Sequence, residues 1–216
     1  MDATPAERPR PTVIEGRYVT LQPLNADAHA DTLFNSVQGH DSLWDYMSDG
    51  PFPDREAFRA SLEKKAVSTD PLYFVIIDNQ SADAVGYASY LRIEPSHRVI
   101  EVGNILYTPR LQRTRGATEA MFLMARHAFE DLRYRRYEWK CNALNEPSRR
   151  AALRLGFRFE GIFRQHMIIK GRNRDTAWYA ILDGEWPDRK AVFERWLSPD
   201  NFDAVGKQMS RLGGQG

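Results

Sequence analysis

The sequence predicts a single α/β (α+β) domain, and three observations carry that reading. Apolar runs of strand length recur from Val13 to Leu182 and alternate with amphipathic helical stretches. No linker, internal repeat or low-complexity tract interrupts them, so strands precede and follow each central helix. Near the end of the strand-bearing region, Phe157–Ile169 and Asp175–Leu182 read as a hairpin around Lys170-Gly171-Arg172-Asn173.

In chain order, residues 1–11 (MDATPAERPRP) are rich in proline and charge and read as a flexible tail before a domain at 12–216. Val13–Ile14 and Arg17–Leu24 read as short strands around Gly16. Asp27–Val37 reads as a helix capped by Asn25, and a short helix is expected at Asp41–Met47. After the break at Gly50-Pro51-Phe52-Pro53, Asp54 caps a helix running to about Val67. Strands follow at Leu72–Asp78, Val85–Ile93 and Val99–Tyr107. The clearest helix spans about 113–131, because Ala117, Ala120, Met121, Met124, Ala125, Ala128, Phe129 and Leu132 recur at three- and four-residue steps. Tyr134–Asn142 alternates as a strand, with Tyr137, Trp139 and Cys141 on one face and Glu138 and Lys140 on the other. Asn145 caps a short helix with Pro147 in its first turn and Gly156 at its end. Two terminal helices are expected, at Trp186–Leu197 and Phe202–Leu212.

Composition narrows the function classes. The 216 residues are 42% hydrophobic, enough to bury a core without disulfide or metal. Thirty basic residues face 29 acidic ones, which gives no general attraction to nucleic acid or to an anionic membrane. Cys141 is the only cysteine, so no intramolecular disulfide forms and a reducing compartment fits. The first eleven residues lack the apolar core of a secretory signal, and no apolar run is long enough to span a bilayer. A soluble, cytoplasmic protein is therefore expected. The histidines at 29, 40, 97, 127 and 166 show no metal-ligand spacing, so no metal is expected.

The segment Val99–Ala128 couples a strand, a Thr-Pro break, a polar loop and a helix. Its loop runs Arg110-Leu111-Gln112-Arg113-Thr114-Arg115-Gly116-Ala117-Thr118. A helix start offers unpaired N–H groups and the positive end of a dipole, and both suit phosphate. An ordinary strand-to-helix turn with solvated arginines accounts for the same residues, and the loop alone leaves both readings open.

Taken in order, QRTRGATEA (Gln112–Ala120), NEPS (Asn145–Ser148) and LGFRFEG (Leu155–Gly161) resemble the GNAT acetyltransferase superfamily, closest to its RimJ/RimL-like branch. The likeness covers roughly Gly16 to Trp186. It implies the GNAT fold: a central mixed, mostly antiparallel sheet of about seven strands, splayed in the middle and flanked by helices. It also implies an N-acetyltransferase that moves an acetyl group from acetyl-CoA to a primary amine on a protein N-terminus, an amino acid or another small molecule. Homodimers are common in that family. The resemblance places pyrophosphate at Gln112, Arg113, Thr114, Arg115, Gly116, Ala117 and Thr118, and pantetheine along Val102–Leu106 and at Asn145, with Asn104 near the acyl group. The family pattern has glycine where this chain has Arg115, with Gly116 one place later. A side chain there must turn away, or the loop must shift.

For the chemistry, a neutral amine must attack the thioester and the departing thiolate must meet an acid. Glu101, on the strand facing the acyl group, is the candidate base; a strand carboxylate paired with an arginine is the simpler account. Ser148 is the candidate acid, because Ala152 occupies the place where many relatives carry tyrosine. A serine there can also act only on helix N–H groups. Cys141 reads as buried core, not as a nucleophile. A CoA-binding regulatory module without turnover is the alternative function, and a phosphate-binding interaction domain is a third.

Overall fold

The computed structural model describes residues 4–212. Eight strands form one sheet: β1 (Ile14–Glu15), β2 (Val19–Pro23), β3 (Leu72–Asp78), β4 (Ala84–Glu94), β5 (Val99–Tyr107), β6 (Arg136–Asn142), β7 (Arg158–Ile169) and β8 (Arg172–Leu182). Their spatial order is β1-β2-β3-β4-β5-β6-β8-β7, against the expected seven or so. The eighth is the two-residue β1. Every neighbouring pair is antiparallel except β5 and β6, which run parallel. A parallel pair needs a long crossover, and helix α3 (Arg115–Arg126) supplies it.

Two apolar clusters sandwich the sheet. On one face, α3 and α5 (Trp186–Leu197) bury Ala120, Met124, Phe193 and Trp196 against Val102, Tyr137 and Tyr179. On the other, α1 (Ala26–Val37) and α2 (Arg55–Ala66) bury Leu33, Phe58 and Leu62 against Val75 and Tyr87. Asn25 and Asp54 cap α1 and α2 as their sequence positions predict. The β7–β8 turn is the two-residue Lys170-Gly171, both at positive φ, as the right-handed twist of a hairpin demands. No helix among the described residues is long and apolar enough to cross a membrane.

Three expectations change. Residues 202–212 are not a helix. The Asp203 carboxylate accepts from the N–H groups of Val205 and Lys207, and Phe202 bridges back to Gln208, so local side-chain bonds replace the helical ladder. The predicted 113–131 helix is α-helical only to Arg126 and continues as a π-turn over His127–Asp131. The hydroxyl of buried Tyr90 donates to the Met124 carbonyl at 2.5 Å, just where the ladder widens. The N-terminal tail is docked in part, with the Ala6 N–H bonded to Pro95 and that of Glu7 to Leu132.

One buried carboxylate ties α3 to the sheet edge. Glu119 accepts from the N–H groups of Arg17, Tyr18 and Val19 at 2.9, 2.6 and 2.9 Å. A Cβ on Gly16 would stand 2.8 Å from that carboxyl, so the approach requires glycine. Glu119→Ala strands three N–H groups and is expected to lower stability by about 3–5 kcal/mol, read from urea unfolding.

Candidate active site

β5 and β6 pair from Val99↔Arg136 to Val102↔Trp139 and no further. Beyond that point β5 stays with β4 as far as Tyr107, and β6 stays with β8 as far as Asn142. The two strands therefore diverge and leave one edge of Gly103–Tyr107 without a neighbouring strand. The register between β4 and β5 slips between Tyr87 and Ser89, and Asn104 takes a left-handed φ of 49°. This is a β-bulge, which bends the strand that carries it. Fully buried Ser89 locks it: its hydroxyl donates to the Gly103 carbonyl at 3.1 Å and accepts from Asn104 Nδ2 at 3.0 Å. The Asn104 side chain is thus turned toward β4, leaving only its backbone for the gap. Val102 and Leu106 bury their side chains on opposite faces and likewise offer backbone.

The start of α3 closes one end of the gap. The Thr114 hydroxyl caps the helix by accepting from the Ala117 N–H, which leaves those of Arg115 and Gly116 without an intrahelical acceptor. Arg113 stands at φ 62° and, among the described residues, has no carboxylate within 4 Å. Arg115 turns away, its guanidinium 4.6 Å from the Tyr18 ring and 5.0 Å from the Phe202 ring. The side chain at the usual glycine position is therefore accommodated without intruding on the helix mouth. A Cβ on Gly116 would meet Val19 Cγ1 at 2.7 Å, so this glycine serves close packing of the helix on β2. The Gln112 amide donates to the Tyr107 carbonyl, capping β5. Thr118 is buried and accepts from Arg154 Nη1 at 3.1 Å. Sequence reasoning missed Arg154, which lies over the Trp196 ring and, like Arg113, has no carboxylate partner among the described residues. Only folding α4 (Glu146–Arg154) back toward α3 makes the two neighbours.

α4 begins where β6 ends. Asn145 caps it by accepting from the Ser148 N–H. Ser148 Oγ accepts from Trp139 Nε1 at 3.0 Å and lies within hydrogen-bonding reach of the Cys141 thiol. Ala152 is completely buried. Cys141 is buried beside Ser148; burial pushes its thiol up, against the reactive direction.

On the face of the sheet away from α3, Glu101 lies in an ion chain that alternation alone does not reveal. Lys140 Nζ stands 2.9 Å from Glu101 and 2.7 Å from Glu138, and its side chain is only 4% exposed. Arg136 joins Glu138 to Glu160 at 2.6 and 2.5 Å. Arg92 approaches Glu101 at 3.6 Å. Burial is the strongest influence on Glu101 and holds its carboxyl above the usual range, although Lys140 and Arg92 pull the other way. For Glu138, burial is outweighed by hydrogen bonds from Lys140 and Arg136, and its carboxyl falls below that range. Trp178 is half-buried here, with Lys140 3.8 Å from its ring centroid and His166 beside it. His166 thus lines this face.

The segment after α1 bridges this face. Tyr46 donates to the Leu144 carbonyl at 3.1 Å, and Lys170 at the β7–β8 tip donates to the Trp44 carbonyl at 2.8 Å. Trp44 and Phe58 are core residues, while the Tyr46 hydroxyl serves the bridge.

Comparison with known proteins agrees with this architecture. Residues 19–158 match the acetyltransferase (GNAT) domain family. A GCN5-related N-acetyltransferase from Brucella melitensis is similar in structure, 48% identical with a TM-score of 0.95, over 97% of this chain and 96% of that one. A probable acetyltransferase of the GNAT family from Chromobacterium violaceum ATCC 12472 is 42% identical with a TM-score of 0.80, over 85% of this chain and 92% of that one. The ribosomal-protein-serine acetyltransferase of Escherichia coli (strain K12) is 29% identical over 105 residues, covering 48% of this chain and 58% of that protein.

Proposed function

Because the chain belongs to the GNAT acetyltransferase family, we propose that it moves an acetyl group from acetyl-CoA to a primary amine by direct attack in a ternary complex. The observation that carries this reading is the divergence of β5 from β6 past Val102 and Trp139, beside the open start of α3.

The residues present fit the coenzyme. Arg113, Arg154 and the N–H groups of Arg115 and Gly116 offer unpaired donors to its phosphates. The free backbone edge of Gly103–Tyr107 can take the pantetheine amides as it would an added strand. Asn145, fixed by its capping bond, keeps its amide N–H groups for the same arm. Bound acetyl-CoA supplies an activated acyl carbon.

The protein's own groups manage the protons. Glu101 takes the amine proton, directly or through water, and its raised carboxyl suits it to that task at neutral pH. As the C–N bond forms and the C–S bond breaks, Ser148 passes its hydroxyl hydrogen to the departing sulfur and regains one from solvent, to which Glu101 releases the amine proton. The products are an amide and the free thiol. Lys140 holds Glu101 in place and remains paired with Glu138 throughout.

Thiol release from acetyl-CoA across amino acids, polyamines, aminoglycosides and N-terminal peptides tests the reaction; a chain that binds acetyl-CoA and releases none is a regulatory module. Arg113→Ala is expected to weaken CoA binding by about 1.5–3 kcal/mol in calorimetry, with Arg115→Ala near neutral. Ser148→Ala is expected to lower kcat by about tenfold or more while CoA affinity holds. Wild-type kcat/KM should rise with pH as Glu101 loses its proton above the ordinary carboxylate range. Glu101→Gln should remove that step from the pH profile and lower the rate by about 10²-fold.

A further inference from the structure

Charge on the acceptor face does not cancel. Glu101, Glu138 and Glu160 are answered by Lys140, Arg136 and Arg92. Arg174 on β8 stands outside that balance, with no carboxylate within 4 Å among the described residues. Its Nε donates to Thr176 Oγ1 at 3.1 Å, and Thr176 also meets His166 Nδ1 at 2.9 Å. Arg174, Thr176 and Trp178 alternate along β8, and Trp178 lies opposite Lys140 in register. All three therefore share the sheet face that carries Glu101. Arg174 is close enough to feel the charge of Glu101, and burial pushes its guanidinium down. His166 is lowered too, first by burial and then by Arg174, Arg92 and Lys140, so the surroundings of its ring are cationic.

We propose that Arg174 receives a carboxylate of the acceptor, so that the acceptor is a small molecule bearing both an amine and an acid group, of the free amino-acid type. This rests on the acetyl-transfer reading above. A planar guanidinium already held at Nε keeps its terminal N–H groups for a two-point contact with a carboxylate. Size follows from the bridge: with Tyr46 on Leu144 and Lys170 on Trp44, this face is crossed by backbone, and a folded protein's terminus would have to thread beneath it.

The test measures thiol release with free amino acids, their C-terminal amides and short peptides with acidic or neutral first residues, each corrected for its fraction of neutral amine. Free amino acids are expected to exceed their amides in kcat/KM by about tenfold or more, mainly through KM. Arg174→Met should abolish that preference while calorimetric acetyl-CoA affinity and Tm hold, and Arg174→Lys should keep part of it. Amides or peptides used as well as the acids, or a preference that survives in either variant undiminished, overturns the proposal. Absence of thiol release with every amine overturns the transfer reaction itself.

Discussion

The site depends on one constraint: β5 cannot remain paired with both of its neighbours along its whole length. Ser89 fixes the bulge at Gly103–Asn104, and the bend leaves β6 with β8 while β5 follows β4. A sheet that stayed zipped would satisfy more of its own backbone. Here the unpaired edge is placed where a ligand rich in amides can complete the ladder, and the strand order makes that edge central, not peripheral. Ser89, a small buried hydroxyl, therefore has as much to do with the gap as the residues that line it.

The second support is the anchoring of α3. Its start must stand close to the end of β5, and Glu119 secures the helix by gathering three N–H groups from the turn into β2. Gly16 and Gly116 permit the approach from either side. The Ala-Thr-Glu-Ala run thus has a structural logic distinct from ligand contact: Ala117 and Ala120 fit the core, Thr118 meets Arg154, and Glu119 ties down the sheet edge. The same packing answers the question raised by Arg115, whose guanidinium is stacked between two aromatic rings and whose backbone N–H stays at the helix mouth.

Electrostatics divides the site between two faces. At the start of α3, Arg113 and Arg154 have no carboxylate partner among the described residues. On the face that carries Glu101, Lys140 is buried between two carboxylates, and such a cluster is tolerated only because each charge is answered. Glu101 keeps a raised carboxyl even so, because its removal from water outweighs the nearby cations. A carboxylate that is neither exposed nor fully neutralised results from these opposing effects, and neither effect alone would produce it.

The sequence by itself determined the elements and most of their ends. Caps at Asn25, Asp54 and Asn145, the Lys-Gly turn and the helical repeat of α3 act over a few residues, so local chemistry decides them. It also marked the α3 loop and the place of Ser148 through motifs of fixed spacing. Only the tertiary structure decided what lay across chain distance. Arg154 meets Thr118, Lys140 meets Glu101, and Trp178 and His166 come together on the face that carries Glu101. Alternation along β6 put Lys140 and Glu138 on one face but could not tell whether that face meets water, because exposure is set by what the rest of the chain lays over it. Residues 202–212 failed as a helix although their apolar spacing suited one, because the side chains of Asp203 and Asn201 took N–H groups of the segment in place of the helical carbonyls.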